Sequence, residues 1–432
     1  MDFQTSLEYL YGLGNEVTAM KLGLENIAKL LAALGNPQNN YLKIQVAGTN
    51  GKGSTCAFLD AIGISAGIKT GLYTSPHLVS ITERIKIGGA EISEDDFARH
   101  ASRIREAAEK LVEMSELETV PTFFEQVTAI ALQAFAEAEI ELAILETGLG
   151  GRFDATTAAK AEIAAITPID YDHQEFLGAN LAEIAAEKAA IIQNQTKLVV
   201  IAGQNDTAAK IIDKRCGDFG ISPPKTNFKA EIVGRSARNF TLNFQTEKAR
   251  YENVRLNLAG KHQIENAKTA LRLAENLPAE FGIKTENIIS GLQTAIHRGR
   301  LEFYRNILFD GAHNVSGAKA LREYLDEFTT PPITVIFGAM RHKDLTEIAA
   351  LIFPKAATLI FTKPDNPRSL ETSELSKFVP EKFTGRVFEI ETVAASLAKA
   401  REIAAENSLI LITGSLYLVG EAQKILKSES VI

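Results

Sequence analysis

The chain has 432 residues, which at roughly 150 per domain predicts two or three domains, and its 45% apolar and 23% charged composition excludes a disordered tail protein. Formal charge is 46 − 54 = −8, and without a Lys/Arg block the footprint of a nucleic-acid binder is missing. Two cysteines, Cys56 and Cys216, imply no disulfide framework, the opening Met1-Asp2-Phe3-Gln4-Thr5 lacks the basic flank and apolar core of a leader, and no apolar run approaches the ~20 residues that cross a bilayer; the expectation is a cytoplasmic protein with no membrane partner.

Short apolar runs alternate with Ala/Leu/Glu-rich helical patterns, the rhythm of βαβ units around a parallel sheet. Residues 22–31, starting at Leu22, carry apolar side chains at helical spacing and stop at Gly35-Asn36-Pro37. Residues 42–47 alternate like a strand and run into Gly48-Thr49-Asn50-Gly51-Lys52-Gly53-Ser54-Thr55, with a helix from about Ser54. Further strands are expected at 142–145 (ending in Glu146), 162–167 and 198–201. Between about 215 and 258 the pattern turns to short alternating pieces such as Phe240-Thr241-Leu242-Asn243-Phe244, read as an antiparallel patch decorating the main sheet. After His297-Arg298-Gly299-Arg300 a new series of strands begins at 307–309, 333–337, 358–361 and 409–412. This predicts a first domain over 1–297 and a smaller α/β domain over 298–432.

The segment 48–55 is the strongest chemical signal. Between a strand and a helix, its glycines let backbone N–H groups close on phosphate, Lys52 reaches the terminal phosphates and Ser54 can bind Mg²⁺. Its spacing is not the strict phosphate-loop form, because Val46 stands at the first glycine position and Gly53 separates Lys52 from Ser54. The plainer reading is a Gly-rich turn with an exposed lysine. Glu146 ends its strand as acidic residues do in Mg²⁺-holding nucleotide hydrolases, ahead of Gly148-Leu149-Gly150-Gly151-Arg152. Asp172-His173 and Ser75-Pro76-His77-Leu78 follow strands, where a parallel sheet places its ligands. Spacing alone favours His173 as a structural hydrogen-bonder, because Mg²⁺ prefers oxygen. Lys188 shares an apolar helical face with Leu181, Ile184 and Ile191, so it must snorkel, the simpler reading, or lose its charge. Asp310-Gly311-Ala312-His313-Asn314 and Gly414-Ser415-Leu416 end strands of the second series, and Arg298 and Arg300 flank a junction where cations meet phosphate or are merely solvated.

Taken with Thr122-Phe123-Phe124-Glu125, Phe153-Asp154-Ala155-Thr156, Glu187-Lys188-Ala189, His262-Gln263-Ile264-Glu265-Asn266 and Gly299-Arg300-Leu301-Glu302, this ordered series resembles the folylpolyglutamate synthase/dihydrofolate synthase family of the Mur-type ligases over nearly the whole chain. The resemblance implies an α/β fold: a Mur-ligase-like phosphate-loop ATPase domain with a mainly parallel sheet, then a Rossmann-like domain, with the active site between them. It also implies ATP-dependent joining of L-glutamate to dihydropteroate, and to tetrahydrofolate polyglutamates, through an acyl phosphate. Gly48, Thr49, Asn50, Gly51, Lys52, Gly53, Ser54 and Thr55 would hold ATP with Asn266, Arg300 and Asp310. Ser54, Ser75, Glu146 and His173 would hold two Mg²⁺ ions, and Lys188 looks like the family's carbamylated lysine. Arg84, His313 and Ser415 would receive glutamate, with Lys52, Lys188, His173 and Arg84 as the catalytic set. Thr122, Phe124, Asp154 and Ala155 would line the pterin pocket. Two departures stand out. His297-Arg298 replaces an apolar-Pro pair, affecting hinge stiffness, and Gln126 replaces an aromatic residue, affecting the pterin fit. The expected enzyme is a monomer acting on small molecules.

Three other readings are available. A peptidoglycan-precursor ligase is disfavoured by Phe124 and the 151–155 context. A regulatory GTPase rests on Thr362-Lys363-Pro364-Asp365, a T-K-x-D string in the wrong domain. A non-enzymatic binding module predicts that changing Lys52 or Lys188 to Ala leaves function intact.

Overall fold

The computed structural model describes residues 1–14, 23–225, 228–330, 332–341, 344–405 and 408–429. Leu22, the expected start of the second helix, lies outside them, and that helix runs over Glu25–Ala33. The strands are β1 (Leu42–Ala47), β2 (Thr70–Tyr73), β3 (Ile85–Ile87), β4 (Ala90–Glu91), β5 (Leu142–Glu146), β6 (Ile163–Ile166) and β7 (Leu198–Ile201). They form one sheet in the order β4-β3-β2-β5-β1-β6-β7. From β2 to β7 it is parallel, and β3 and β4 add antiparallel pairs at one edge. The near-continuous burial of β1, β5 and β6 is what a parallel sheet covered on both faces requires. On one side Phe58, Leu59 and Ile62 of the helix Lys52–Ser65 pack on Ile44, Val46 and Ile144. On the other, Val127, Ile130 and Phe135 of the helix Phe123–Glu137 pack with Ala143 and Leu145.

The alternating segment forms β8 (Lys229–Arg235), β9 (Phe240–Gln245) and β10 (Arg250–Arg255). It is antiparallel as expected, but it is a separate three-stranded sheet, not hydrogen-bonded to the large one. It also starts later than expected, because Asp206–Asp218 is helical. Phe240, Leu242, Phe244, Tyr251 and Val254 are its buried face, and they join the core cluster of β1 and the helix His262–Glu275.

A third sheet is made by β11 (Glu302–Tyr304), β12 (Ile307–Phe309), β13 (Ile333–Phe337), β14 (Thr358–Phe361), β15 (Arg386–Glu389) and β16 (Leu409–Thr413), ordered β11-β12-β16-β13-β14-β15. All pairings but β11–β12 are parallel, as in Rossmann-like sheets, and helices Val315–Phe328 and Val393–Ile403 lie in its two flanking clusters. Both cysteines are buried and free, and among the described residues no helix is long and apolar enough to cross a membrane.

Candidate active site

In the large sheet β1 has β5 on one side and β6 on the other, and the chain leaves it in both directions, so the loops after β1 and β6 flank a crevice. The third sheet turns its own strand ends toward the same crevice. Between them lies a cavity of about 1340 Å³. It is lined by Thr49, Asn50, Gly51, Lys52, Gly53, Ser54, Ser75, Glu146, His173, Lys188 and Asn266, and by Arg300, Asp310, His313 and Ser415 from after the junction. Thr122, Phe124, Asp154 and Ala155 line it too. Of the residues expected in the site, Gly48, Thr55 and Arg84 do not reach its lining.

The loop after β1 closes because two glycines take backbone shapes that side chains resist. Gly51 has φ +88° and directly precedes the helix that begins at Lys52. Gly48 has φ +145°, and a Cβ there would lie 1.9 Å from Thr167 Oγ1 and 2.8 Å from its carbonyl oxygen. Gly48→Ala is therefore expected to displace the loop from β6 and weaken nucleotide binding by at least tenfold. Calorimetric titration with ADP checks this, and wild-type affinity would refute it. Thr49 ties the loop to the segment after β6, its N–H donating to Pro168 O at 3.0 Å and its hydroxyl to Asp170 O at 2.9 Å.

Two lysines meet at one loop carbonyl. Lys52 Nζ donates to Gly48 O at 3.1 Å and to Thr49 O at 3.2 Å, and Lys188 Nζ donates to Gly48 O at 2.9 Å. Lys188 does not snorkel. It is 4% exposed, near the end of the helix Leu181–Ala189, and Ile191 lies beyond that helix. Burial first, then the Lys52 charge, bring its pKa down to about 7, against the pull of Asp172 and Asp154.

Glu146 is 7% exposed and accepts one N–H, from Ser75 at 3.2 Å. Burial raises its carboxyl above the usual carboxylate range, opposed chiefly by Lys52. A carboxylate has several lone-pair positions, so a buried one with a single N–H donor, beside the Ser54 hydroxyl, suits a hard divalent cation. His173, at φ +52°, has Nε2 3.8 Å from Asp172 Oδ2. Among the described residues no three His, Cys, Asp or Glu side chains form a metal-binding group.

Several expected residues also have local structural work. Asp154 caps a short 3₁₀ helix, accepting from Thr156 N at 3.0 Å and from Leu149 N at 2.8 Å, and burial raises its pKa. Thr122 forms a capping box with Glu125 at the start of Phe123–Glu137. Phe124 faces the Tyr73 ring with centroids 6.2 Å apart, in space left by Gly148, where a Cβ would lie 2.6 Å from its Cζ. Asp310 accepts from Leu301 N at 3.1 Å and Ala312 N at 3.0 Å, and burial raises its pKa against the pull of Arg300. Ser415 Oγ accepts from Tyr417 N at 3.1 Å. Arg84 is 2% exposed, donates to His77 Nδ1 at 2.8 Å, and sits 5.4 Å from the Phe123 ring centroid.

The two departures and the junction cations have definite places. Gln126 does not face the cavity; it is fully buried, holding Pro121 O at 2.9 Å and Tyr9 Oη at 3.0 Å. Arg298 is exposed and 3.9 Å from Glu91, whereas Arg300 lines the cavity. Thr362, Lys363 and Asp365 of the T-K-x-D string lie outside the lining. Sequence reasoning gave no role to Gln263, which donates to Ser54 Oγ at 3.1 Å, or to Asn314, which donates to Asn50 Oδ1 and to Asp172 Oδ2, each at 3.1 Å. Gln263 carried a signal, since it precedes Asn266 by one helical turn. It also missed Phe153, Tyr171 and Phe176, exposed aromatics on the cavity wall.

Comparison with known proteins agrees with this geometry. The family description "Mur ligase middle domain" matches residues 46–274, and "Mur ligase, glutamate ligase domain" matches 299–416. The dihydrofolate synthase/folylpolyglutamate synthase of Bacillus subtilis is 33% identical, over 94% of this chain and 96% of its own. A probable bifunctional folylpolyglutamate synthase/dihydropteroate synthase of Haloferax volcanii is 34% identical over 98% of this chain, which spans only 50% of that longer protein. The solved folylpolyglutamate synthase of Mycobacterium tuberculosis, complexed with ADP, superposes with a TM-score of 0.89 at 30% identity, covering 98% of this chain and 99% of that one. The chain belongs to the Mur ligase superfamily and, within it, to the dihydrofolate synthase/folylpolyglutamate synthase family of ATP-dependent glutamate ligases.

Proposed function

We propose that this chain joins L-glutamate to dihydropteroate, and extends tetrahydrofolate polyglutamates, at the expense of ATP. The observation that carries the reading is the single cavity of about 1340 Å³ that gathers Lys52, Ser54, Glu146 and Lys188 opposite Arg300, Asp310, His313 and Ser415. A carboxylate is a poor acyl donor. Transfer of the terminal phosphoryl group of ATP makes it an acyl phosphate, which the glutamate amine then attacks to give an amide and phosphate. Gly48 to Thr55, Asn266, Arg300 and Asp310 hold ATP in this reading, with Lys52 on the transferring phosphate.

Ser54, Ser75, Glu146 and His173 would hold Mg²⁺, which supplies charge neutralisation on the phosphates. Lys188, with burial bringing its pKa down to about 7, offers near neutral pH a fraction of the free amine that carbamylation requires, and the carbamate oxygens would add an anionic ligand to that set. Thr122, Phe124, Asp154 and Ala155 form the pterin wall, and the exposed rings of Phe153, Tyr171 and Phe176 offer a flat substrate apolar faces. His313 and Ser415 receive glutamate from the cavity wall, and Arg84 belongs to the same set in this reading although it does not reach the lining. The lobes are 1–297 and 298–432. The reading includes a monomer in the cytoplasm acting on small molecules.

Purified protein given ATP, Mg²⁺, dihydropteroate and L-glutamate is expected to release ADP and phosphate only when glutamate is present. No glutamate-dependent release with dihydropteroate or tetrahydrofolate would refute the reading. Coupling of a UDP-sugar peptide instead would assign the peptidoglycan-precursor activity.

A further inference from the structure

His297 stands where the family resemblance leads one to expect an apolar side chain, and it touches the phosphate loop. Its Nδ1 lies 3.0 Å from Ser54 Oγ. The same oxygen accepts from Gln263 Nε2 at 3.1 Å, and the other end of that amide is paired in keeping with this, Asn266 Nδ2 donating to Gln263 Oε1 at 2.9 Å. A hydroxyl has one hydrogen and two lone pairs, and Gln263 takes one lone pair. Two arrangements then remain. With Nδ1 as acceptor, the Ser54 hydrogen goes to the ring and one lone pair is left over. With Nδ1–H as donor, both lone pairs are filled and the hydrogen faces the site. Only the first leaves Ser54 able to bind a cation. Gly53 lets the ring approach: a Cβ there would lie 2.7 Å from His297 Cε1, 2.8 Å from its Nε2 and 3.2 Å from Glu146 Oε2. The imidazole and the Glu146 carboxylate therefore converge on one glycine beside Ser54.

We propose that His297 is a positioning residue: its Nδ1 accepts the Ser54 hydroxyl hydrogen and turns the remaining Oγ lone pair toward the divalent cation that accompanies the nucleotide. The inference rests on Ser54 being a cation ligand. An apolar residue at 297 would leave the Ser54 hydroxyl hydrogen without this acceptor, although Gln263 would still bond the oxygen.

The probe is Mn²⁺, titrated into the full chain with ADP present and followed by electron paramagnetic resonance. H297L is expected to weaken Mn²⁺ binding about tenfold, as loss of a partner behind a metal ligand does. H297N, whose Oδ1 can occupy the place of Nδ1, is expected to restore most of that loss. Adding H297L to S54A is expected to change nothing further, the mark of two residues acting as one unit. Nitrogen NMR of the wild type is expected to find His297 Nδ1 without a proton. Equal losses from H297L in both backgrounds, unchanged binding by H297L, failure of H297N to restore binding, or a protonated Nδ1 would overturn the proposal. If S54A itself leaves Mn²⁺ affinity unchanged, the Ser54 assignment fails, and that result is distinct from a failure confined to His297.

Discussion

Lys52→Met is expected to lower glutamate-dependent turnover by on the order of 10³-fold while leaving the thermal midpoint within a few degrees of wild type. The two effects separate because of what Lys52 touches. Among the described residues its Nζ bonds two carbonyls of its own loop, Gly48 O and Thr49 O, and Gly48 O keeps the Lys188 amine when Lys52 is gone. The structural loss is then about one hydrogen bond, roughly 1 kcal/mol. The chemical loss is larger, because a positive charge aimed at a developing phosphoryl transition state has no substitute in the loop. Stopped-time assays of ADP release with a parallel melting curve read both quantities. Near-wild-type turnover would remove Lys52 from the phosphoryl-transfer machinery, whereas loss of folding would mean that Lys52 is structural.

Lys188→Met is the second change with a large expected effect, a loss of about 10²-fold or more in turnover, and it adds a pH signature. Burial lowers the Lys188 pKa from 10.5 to about 7. Between those values the unfolded chain binds a proton that the folded chain does not, so this group makes wild-type stability rise with pH by about 1.4 kcal/mol per unit. Above 10.5 both states are neutral and nothing is lost, and below about 7 both are protonated and the full cost remains. Methionine, of similar length, has no proton to bind. In CO₂-free buffer the stability of wild type relative to K188M should therefore improve as pH is raised through that window, read from urea midpoints. A flat difference would mean the amine stays charged in the fold. Adding ¹³C-bicarbonate should then give wild type a carbamate resonance that K188M lacks, and its absence would remove the modified lysine from the mechanism.

The sequence was most legible where burial constrains it most. The strands Leu42–Ala47, Ile333–Phe337 and Thr358–Phe361 have the bounds their patterns predict, the first from its alternation and the other two from near-continuous apolar runs that a strand covered on both faces favours. The edge strands Ala90–Glu91, Glu302–Tyr304 and Arg386–Glu389 were not visible, since they are short and largely uncovered and no apolar pattern marks them. The separate small sheet was half legible. Alternation in Phe240–Gln245 fixes one buried face, but nothing in it states which surface that face covers. In the site, glycine-rich loops announced themselves through composition. Pairings between distant positions did not: Ser54 and His297 are 243 positions apart, and no local rule connects them. Gln126 shows the converse error, in which a position next to pocket residues points away because helix rotation turns it toward Tyr9.

The reciprocal amide pair of Asn50 and Asn314, with Asp172 as a third partner, bridges the two walls of the cavity. Amides carry no net charge, so dissolved salt hardly screens the Asn50–Asn314 pair, and water can replace each of its bonds at a net cost of only about 1 kcal/mol. Such a clasp is wettable: exchanging its bonds for water exposes none of the apolar surface packed in the cores on either side.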